Sequence, residues 1–391
     1  MKKGDRYLLK VDKITNANYF VSFTEDEKLP LFTVEEGRVG SAGRKSQHPI
    51  RSWDRILRKY QLDGYEDISY LRAKATNSSE PAFIGSCSDI MNELMGAAKK
   101  AIEVAYIIDP KAVTKAMIDN AKKNVDELSK VSTIEEFNEL LNNIFKILPR
   151  KMNCISNYLA KTSDDFNRII IREQDLLDNM RAVCSTNDLE ENSQTENLFD
   201  TLGIQMRIAN DEEVKKVVGM IDNRVQAKVK RVWFVNNIKT QKAYKNYVET
   251  NKIDKTMLLW HGSRTENWFS IIKSGLLIRP AGAAYTGSMF GDGIYFATKA
   301  SKSFNYTSYR GSYWAGGTSD KAYMALYQVA SGTPYDVYSH DWDVGTMTLA
   351  KLRQKGNYNC LFAHAGTMLL NDEIIFYDPS QVTIRYLVEF E

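Results

Sequence analysis

The spacing of apolar and polar positions divides the chain into three parts with different periods. Residues 1–75 contain short runs rich in β-branched and aromatic residues, "RYLLKV" and "NYFVSF", which predict an antiparallel sheet. A glycine-punctuated turn, "EEGRVGSAGRK", follows, and "HPIRSWDRILRKY" then places apolar residues at helical spacing. This first part predicts a small β-rich domain with one helix.

Residues 83–184 show a helical period throughout. In "TIEEFNELLNNIFKILP", Thr133 and Glu136 have the spacing of a capping box, and Pro149 ends the predicted helix. Phe137 and Ile144 fall on one face between these signals. No constellation of nucleophiles or metal ligands is visible here, so the second part predicts an all-α bundle with a scaffold or regulatory role.

The polar segment 185–197, "STNDLEENSQTEN", predicts a linker. Strand-like runs dominate after it, as in "VKRVWFV", "AYMALYQV" and "VTIRYLVEF", with fewer and shorter helices between them. Residues 198–391 therefore predict a mixed α/β domain of ordinary size. The whole chain, at 391 residues, is predicted to be a multidomain α+β protein with three domains.

The charge balance restricts nucleic-acid binding to a local surface. A net charge of +3 is too small to predict such binding by itself. From Arg38 to Lys59, however, the only acid is Asp54, and the glycine-rich turn carries Arg38, Arg44 and Lys45. A charge run alone is more often a solvated face, whereas a glycine-arginine turn beside a basic helix favours a phosphate-binding surface, and both interpretations remain open.

Cysteine and histidine usage limits the metal and redox chemistry that can be expected. The four cysteines are scattered without a Cys-x-x-Cys pair, and only four histidines are present. We therefore expect free thiols in a reducing compartment and no metal site. The basic N-terminus has no apolar run behind it, and no stretch is long enough to span a membrane. The expectation is an intracellular protein, nuclear in a eukaryote and cytoplasmic or nucleoid-associated in a prokaryote.

Three separate segments carry candidate chemistry. "LLWHGSRTENWFSIIKSGL" runs a buried strand into His261, Gly262 and Ser263, where a glycine lets a ligand approach the backbone closely. "TGSMFGDGIYFA" supplies a second glycine-rich loop, and "LLNDEIIFYD" places Glu373 directly before an apolar strand. A lone histidine is more often a core residue, and an acid at a strand rim is often a capped surface residue. The combination favours a site.

Together these motifs resemble the catalytic domain of the poly(ADP-ribose) polymerases. The resemblance is carried by His-Gly-Ser, Gly-Ile-Tyr-Phe-Ala, Lys-Ser-x-x-Tyr and Asn-Asp-Glu, and it is strongest over residues 256–310 and 366–388. The region 83–184 resembles the helical regulatory domain of the DNA-dependent members. Residues 1–75 resemble a WGR domain, in which the run from Gly37 to Gly40 fits and Glu36 replaces the tryptophan that names the domain.

The resemblance implies that NAD+ is a substrate, used as an ADP-ribosyl donor rather than as a hydride carrier. Consistent with this, no Gly-x-Gly-x-x-Gly fingerprint of a dinucleotide fold is present. The family pattern assigns the donor-binding roles to seven positions. Gly262 and Ser303 would hold the nicotinamide amide, Tyr306 and Tyr295 its ring, His261 and Ser263 the adenosine ribose, and Arg279 the adenine, since Leu277 stands where the family has an arginine.

The same resemblance assigns the transfer step. Glu373 would bind the nicotinamide ribose and polarise the acceptor hydroxyl, and Lys302 would orient that acceptor. His261 and Tyr295 would complete the catalytic set. Met289 falls where the family places an acceptor-adenine contact. Arg38, Arg44 and Lys45 would contact DNA.

Three functions from different classes remain open at this stage. The first is a polymer-forming ADP-ribosyltransferase stimulated by DNA strand breaks, which modifies protein acceptors and is a monomer without DNA. The second is an enzyme limited to single ADP-ribose transfer or to NAD+ hydrolysis; loss of the glutamate usually marks the mono-transferring relatives, and Glu373 is present. The third is a non-catalytic module that binds NAD+ or DNA. None of the three implies a membrane or a metal.

Overall fold

The computed structural model describes residues 3–12, 14, 16–72, 82–187, 197–278, 289–367 and 369–391. The chain divides into two compact units. The first comprises Met1–Ser79 and Lys100–Cys184, and the second comprises Glu80–Lys99 and Ser185–Glu391. The three-domain division remains a prediction, and most of the predicted linker, residues 188–196, lies outside the described residues.

The first unit opens with a sheet that packs against one helix. Its elements are β1 (Arg6–Asp12), β2 (Ala17–Glu25), β3 (Leu31–Arg38), β4 (Arg44–Pro49), α1 (Trp53–Leu62) and β5 (Glu66–Asp67). The strand order is β4-β3-β2-β1-β5 with antiparallel pairing. Trp53 of α1 is buried against Phe23 and Phe32 of the sheet, so the helical spacing read from the sequence is confirmed. Identification of residues 1–75 as a WGR-like domain remains a prediction.

The segment predicted as one glycine-rich turn forms more strand than expected. Arg38 ends β3, and Arg44 and Lys45 begin β4, so the three basic residues lie on a hairpin rather than in a turn. The edge strand β4 has no buried residue, and its sequence "RKSQHP" therefore lacks the apolar alternation by which strands are recognised. The backbone pairing with β3 decides its conformation.

Helices follow as the sequence predicted. They are α2 (Ser88–Ala105), α3 (Lys115–Leu128), α4 (Ile134–Ile147), α5 (Asp165–Asn187) and the short α6 (Leu198–Leu202). The hydroxyl of Thr133 accepts the backbone N–H of Glu136 at 3.3 Å, which confirms the predicted start of α4. Within the first unit, the amide of Asn18 on β2 donates to the carbonyls of Arg150 and Met152.

The second unit is built on a large mixed sheet, as the sequence predicted for a mixed α/β domain. Its remaining elements are β6 (Ile204–Ile208), α7 (Asp211–Gly219), β7 (Val229–Asn237), α8 (Ile238–Thr250), β8 (Thr256–Gly262), α9 (Trp268–Ser274), β9 (Ile294–Ala297), α10 (Ala300–Phe304), β10 (Ala322–Ala330), β11 (Pro334–Val337), α11 (Trp342–Gly345), α12 (Leu349–Lys355), β12 (Cys360–Ala363), β13 (Glu373–Phe376) and β14 (Val382–Phe390).

The strand order of this sheet places the candidate residues. Over the described residues the order is β11-β12-β13-β9-β8-β10-β14-β7-β6, antiparallel except for the parallel pair β11 and β12. One apolar cluster packs around Trp260 and Leu326, and another around Phe290 and Ile375. β8, β9 and β13, which carry the sequence motifs, are neighbours near the middle of the sheet. In the part of the chain that is described, no helix is both long enough and apolar enough to cross a bilayer.

Candidate active site

The candidate site lies where three neighbouring strands end. Ala297 of β9 pairs with Trp260 of β8 on one side and with Glu373 of β13 on the other. Because β9 lies between the other two strands, the His-Gly-Ser segment after β8 and the carboxylate that begins β13 reach the same end of the sheet. Segments more than a hundred residues apart in sequence are thereby brought together.

Gly262 approaches the backbone of α10 so closely that no side chain fits there. A Cβ atom on Gly262 would lie 1.9 Å from the carbonyl oxygen of Ser303, far inside any real contact. The buried hydroxyl of Ser303 donates to the carbonyl of Trp260 at 3.0 Å. The absence of a side chain at Gly262 allows α10 to approach the end of β8, and the hydrogen bond of Ser303 holds it there.

His261 is oriented by the neighbouring strand. Its Nδ1 lies 3.0 Å from the carbonyl oxygen of Tyr295, and because a carbonyl only accepts, Nδ1 carries the hydrogen. In the neutral ring, Nε2 is then the acceptor nitrogen. The rings of Phe296 and Tyr327 lie 5.6 and 6.1 Å from the imidazole and limit its rotation. Phe296 is buried, as expected for a core residue.

Tyr295 is fixed by the loop that precedes its own strand. Its hydroxyl accepts the N–H of Phe290 at 3.0 Å and donates to the carbonyl of Gly291 at 2.8 Å. Burial raises the pKa of Tyr295 far above its ordinary value, so the phenol stays neutral. Gly291 has φ +77°, and a Cβ there would lie 2.1 Å from the carbonyl oxygen of Met347. These hydrogen bonds fix the orientation of the Tyr295 ring.

Tyr306 presents a ring close to the carboxylate. Burial, with a smaller contribution from the charge of Glu373, raises the pKa of Tyr306 to about 12. Its backbone N–H donates to the carbonyl of Ser303 at 3.1 Å, which ties it to α10. Trp314 lies nearly parallel to it, with ring centres 6.4 Å apart and planes 18° apart.

The candidate catalytic carboxylate is paired with a lysine. Nζ of Lys302 lies 2.5 Å from Oε1 of Glu373, and the two side chains are 14% and 12% exposed. Lys302 also donates to the carbonyl of Asn371 at 3.2 Å. The pair is largely shielded from bulk water, and each side chain keeps a small exposed fraction. A negative charge at this point can stabilise a developing cation or accept a proton.

The other predicted residues are placed as follows. The hydroxyl of Ser263 lies 3.2 Å from the donating Nδ2 of Asn267, and Met289 packs on the same cluster as Tyr295. Leu277 is 41% exposed, and Arg279 lies outside the described residues. The basic residues Arg38, Arg44 and Lys45 belong to the first unit.

Sequence reasoning missed several supports of the site. Trp314 beside Tyr306 lies in the run "SYWAGG", whose polar and glycine-rich surroundings read as an ordinary loop. The close contacts of Gly291 with Met347, and of Gly293 with Ile375, were also not foreseen, although two glycines in "FGDGIYF" are a signal of tight backbone approach. Over the described residues, no cluster of three or more His, Cys, Asp or Glu side chains is arranged to hold a metal ion.

Comparison with known proteins identifies a matching family. The family model "Poly(ADP-ribose) polymerase catalytic domain" matches residues 211–391. A poly(ADP-ribose) polymerase-like protein of Invertebrate iridescent virus 6 is 30% identical over 183 residues, which cover 46% of this chain and 95% of that protein. Poly(ADP-ribose) polymerase 2 of Zea mays is 42% identical over 154 residues, and that of Homo sapiens is 32% identical over 159 residues.

The extent of these matches differs between the relatives. Each of the maize and human matches covers 34% of this chain, but only 23% and 26% of those longer proteins. The chain therefore spans nearly all of the viral relative and about a quarter of the two cellular ones.

Proposed function

The chain belongs to the poly(ADP-ribose) polymerase family, and we propose that it builds poly(ADP-ribose) from NAD+ on protein acceptors, stimulated by DNA strand breaks. The catalytic domain of this family supports ADP-ribosyltransferase activity with NAD+ as substrate. The observation that carries the finer proposal is the presence of the Lys302–Glu373 pair at the same sheet end as Gly262 and Tyr306.

In the proposed donor complex, the nicotinamide amide pairs with the backbone of Gly262. The close approach of Gly262 to Ser303 supports this, because it places a backbone amide beside a buried hydroxyl. The ring of Tyr306 stacks on the cationic nicotinamide ring, and the fixed ring of Tyr295 limits the other side. The Nε2 of His261 accepts a hydroxyl of the adenosine ribose.

In the proposed transfer step, the bond between ribose C1′ and the nicotinamide nitrogen breaks. Its electron pair leaves with nicotinamide, which becomes neutral, and positive charge develops on the sugar. The carboxylate of Glu373 stabilises that charge through the ribose hydroxyl groups. An acceptor hydroxyl then forms the new bond to C1′ and gives its proton to Glu373, while Lys302 holds the carboxylate in position.

The DNA part of the proposal rests on the first unit. Arg44 and Lys45 lie on the exposed edge strand β4. Lys45 forms an ion pair with Glu35, in which Nζ lies 3.6 Å from Oε2. The guanidinium of Arg38 donates to the sulfur of Cys154 at 2.9 Å and to the hydroxyl of Tyr19 at 3.4 Å. Arg38 can thereby bridge a DNA phosphate and the region 83–184, which resembles the helical regulatory domain.

The experiment that tests the proposal is a gel of the protein with labelled NAD+, with and without nicked DNA. We expect a long smear of modified protein that increases with DNA. A single shifted band would indicate single transfer, free ADP-ribose would indicate hydrolysis, and no labelled product would contradict an enzymatic role.

The DNA arm of the proposal has its own variant. Arg38→Ala is expected to reduce DNA stimulation and leave DNA-free activity in place, whereas Arg6→Ala, a half-exposed arginine on β1, is the matched control. DNA binding should weaken steeply with added salt, since it depends on phosphate contacts. Equal DNA stimulation in Arg38→Ala and the parent would contradict a role for Arg38 in the response to DNA.

A further inference from the structure

The two tyrosines of the proposed nicotinamide pocket are held in different ways. The hydroxyl of Tyr295 has two hydrogen bonds, from the N–H of Phe290 and to the carbonyl of Gly291. The hydroxyl of Tyr306 has none to any residue that the structure describes, and only burial and the charge of Glu373 raise its pKa. Hydrogen bonds therefore fix the Tyr295 ring, whereas packing against other side chains must fix the Tyr306 ring.

One aromatic side chain supplies such a contact. The ring of Trp314 lies 6.4 Å from that of Tyr306 with planes 18° apart, an offset stack within the range of favourable aromatic pairs. Over the described ranges, Trp314 is the only aromatic side chain in ring contact with Tyr306. Because a stacked ring covers one face of Tyr306, the opposite face is left for the nicotinamide ring.

The backbone ties Trp314 to the residue before Tyr306. The N–H groups of Trp314 and Ala315 both donate to the carbonyl of Asn305 at 3.1 Å. The side chain of Asn305 donates in turn to the carbonyl of Ser301 on α10 at 3.2 Å. One residue thus connects α10 with both rings and limits how far the rings can move apart.

The loop that carries Trp314 is closed by its own hydrogen bonds. The buried hydroxyl of Ser312 donates to the carbonyl of Thr307 at 2.7 Å and accepts the N–H of Gly317 at 2.9 Å. A Cβ on Gly317 would lie 2.1 Å from the carbonyl oxygen of Tyr309, so the two sides of the loop meet too closely for any other residue. The indole is therefore presented from a rigid support.

Trp314 does not belong to the core. It is 54% exposed, whereas Trp233, Trp260 and Trp268 of the same unit are buried. Because the loop is held by its backbone and by Ser312, we expect the unit to fold without the indole. The contact with Tyr306 is then what the indole contributes.

We propose that Trp314 is a positioning residue of the nicotinamide pocket, which holds the Tyr306 ring in the plane on which nicotinamide stacks. The inference rests on the proposed function, because it deepens the role given there to Tyr306. Trp314 acts through that ring and does not itself touch the substrate. It therefore affects the binding of NAD+ and of nicotinamide mimics, and leaves the transfer step at Glu373 unchanged.

The test measures benzamide binding to the full chain by calorimetry. Trp314→Ala removes the indole, Trp314→Phe keeps a stacked ring, and Trp342→Ala removes an indole that is 75% exposed elsewhere in the same unit. We expect Trp314→Ala to bind benzamide about 2- to 12-fold more weakly, on the scale of one aromatic pair, and the other two variants to match the parent. With labelled NAD+, KM should rise by a similar factor in Trp314→Ala, while kcat stays at the parent value.

A double-mutant cycle separates an effect through Tyr306 from a direct contact with the ligand. In a Tyr306→Ala background, Trp314→Ala should weaken benzamide binding no further. A further loss of the same size in that background would mean that Trp314 contacts the ligand itself, and it would overturn the inference. Equal benzamide affinity of Trp314→Ala and the parent would also overturn it, as would a lower kcat with an unchanged KM.

These outcomes differ from those that decide the proposed function. A parent protein that binds benzamide but forms no labelled polymer would contradict polymer synthesis, and a dependence of that binding on Trp314 would still support the positioning role. Conversely, polymer synthesis together with benzamide binding that does not depend on Trp314 would refute the positioning role alone.

Discussion

Two carboxylates of the same sheet, Glu373 and Glu389, have opposite environments. Glu373 has Lys302 at 2.5 Å and is 12% exposed. Glu389 on β14 is completely buried, with Arg231 at 2.6 Å and Lys321 at 3.1 Å. The same two cations also bind acids of α2, Asp89 at 2.9 Å and Glu93 at 3.2 Å.

The difference separates a carboxylate that can react from one that supports the fold. Every partner of Glu389 is supplied by the protein, including a bidentate contact from Arg231, and Tyr323 donates to Glu93 at 2.7 Å within the same network. No substrate can reach it. Glu373 pairs with one cation, Lys302, and lies at the start of a strand. The lone pairs of its carboxylate that Lys302 does not use can accept hydrogen bonds from a ligand. A carboxylate that is buried and fully paired is suited to a structural role. A carboxylate that is only partly paired at a strand end is suited to a catalytic role.

The largest expected effect comes from Glu373→Gln. The amide keeps the shape of the side chain but removes the charge that stabilises the sugar cation and accepts the proton. We expect elongation with labelled NAD+ to fall by about 100- to 1000-fold, on the scale of other single electrostatic contributions to a transition state. NAD+ binding, measured by calorimetry, should persist. Glu391→Gln, an exposed acid paired with Lys230, is the control. Undiminished polymer synthesis in Glu373→Gln would refute the catalytic assignment.

Glu389→Gln should instead affect stability. Removing the charge of the buried Glu389 leaves Arg231 and Lys321 with their ion pairs to Asp89 and Glu93, and we expect the lost buried contacts to cost about 1–3 kcal/mol in free energy of unfolding. Urea unfolding measures this cost, and Glu93→Gln, a partly exposed acid of the same network, should cost less than about 1 kcal/mol. Folded Glu389→Gln protein should retain the parent's transfer rate. If Glu389→Gln were as stable as the parent but had lost transfer activity, the structural role assigned to Glu389 would be wrong.

Tyr306→Ala tests the ring pocket. A benzamide, which imitates nicotinamide, is expected to bind through the backbone of Gly262 and the ring of Tyr306. Loss of the ring should weaken its binding by roughly 1 kcal/mol, the size of an aromatic pair energy. Calorimetry with the parent, Tyr306→Ala and Tyr306→Phe measures this directly, and the phenylalanine variant should retain the affinity. Identical affinities in the parent and the alanine variant would show that Tyr306 is a packing residue and does not contact the ligand.

The smallest difference concerns acid stability. Burial alone would raise the pKa of Glu389, but hydrogen bonds and charge from Arg231 and Lys321 outweigh it and lower the pKa below its usual value. A lowered folded-state pKa contributes stability above the unfolded pKa, and this stability is lost as the pH falls through the folded-state value. The stability difference between parent and Glu389→Gln should therefore narrow below about pH 4, the ordinary range of a glutamate. A difference that widened on acidification would contradict this sign.

Much of the local structure was readable from the sequence. The strand–loop–helix from β8 to α9 and the start of α4 at Thr133 follow from periodicity and capping, which are properties of neighbouring residues. The edge strands β4 and β11 were not read as strands. Their conformation is decided by hydrogen bonds to a partner strand, since one has no buried residue and the other only one.

By itself, the sequence determined the identity of the site residues and their family pattern, because motifs such as His-Gly-Ser and Asn-Asp-Glu are local. Only the tertiary structure decided which of them meet and which acids can react. Glu373 and Glu389 both lie in apolar strands, and the Asn-Asp-Glu motif marks Glu373 but does not show its environment. Their difference arises from residues far along the chain: Lys302 for one, and Arg231, Lys321 and the acids of α2 for the other. The same holds for Tyr338, which reads as an isolated surface tyrosine until the parallel pairing of β11 and β12 brings His364 against its ring. Long-range pairing sets burial and charge partners, and neither is encoded in the spacing of neighbouring residues.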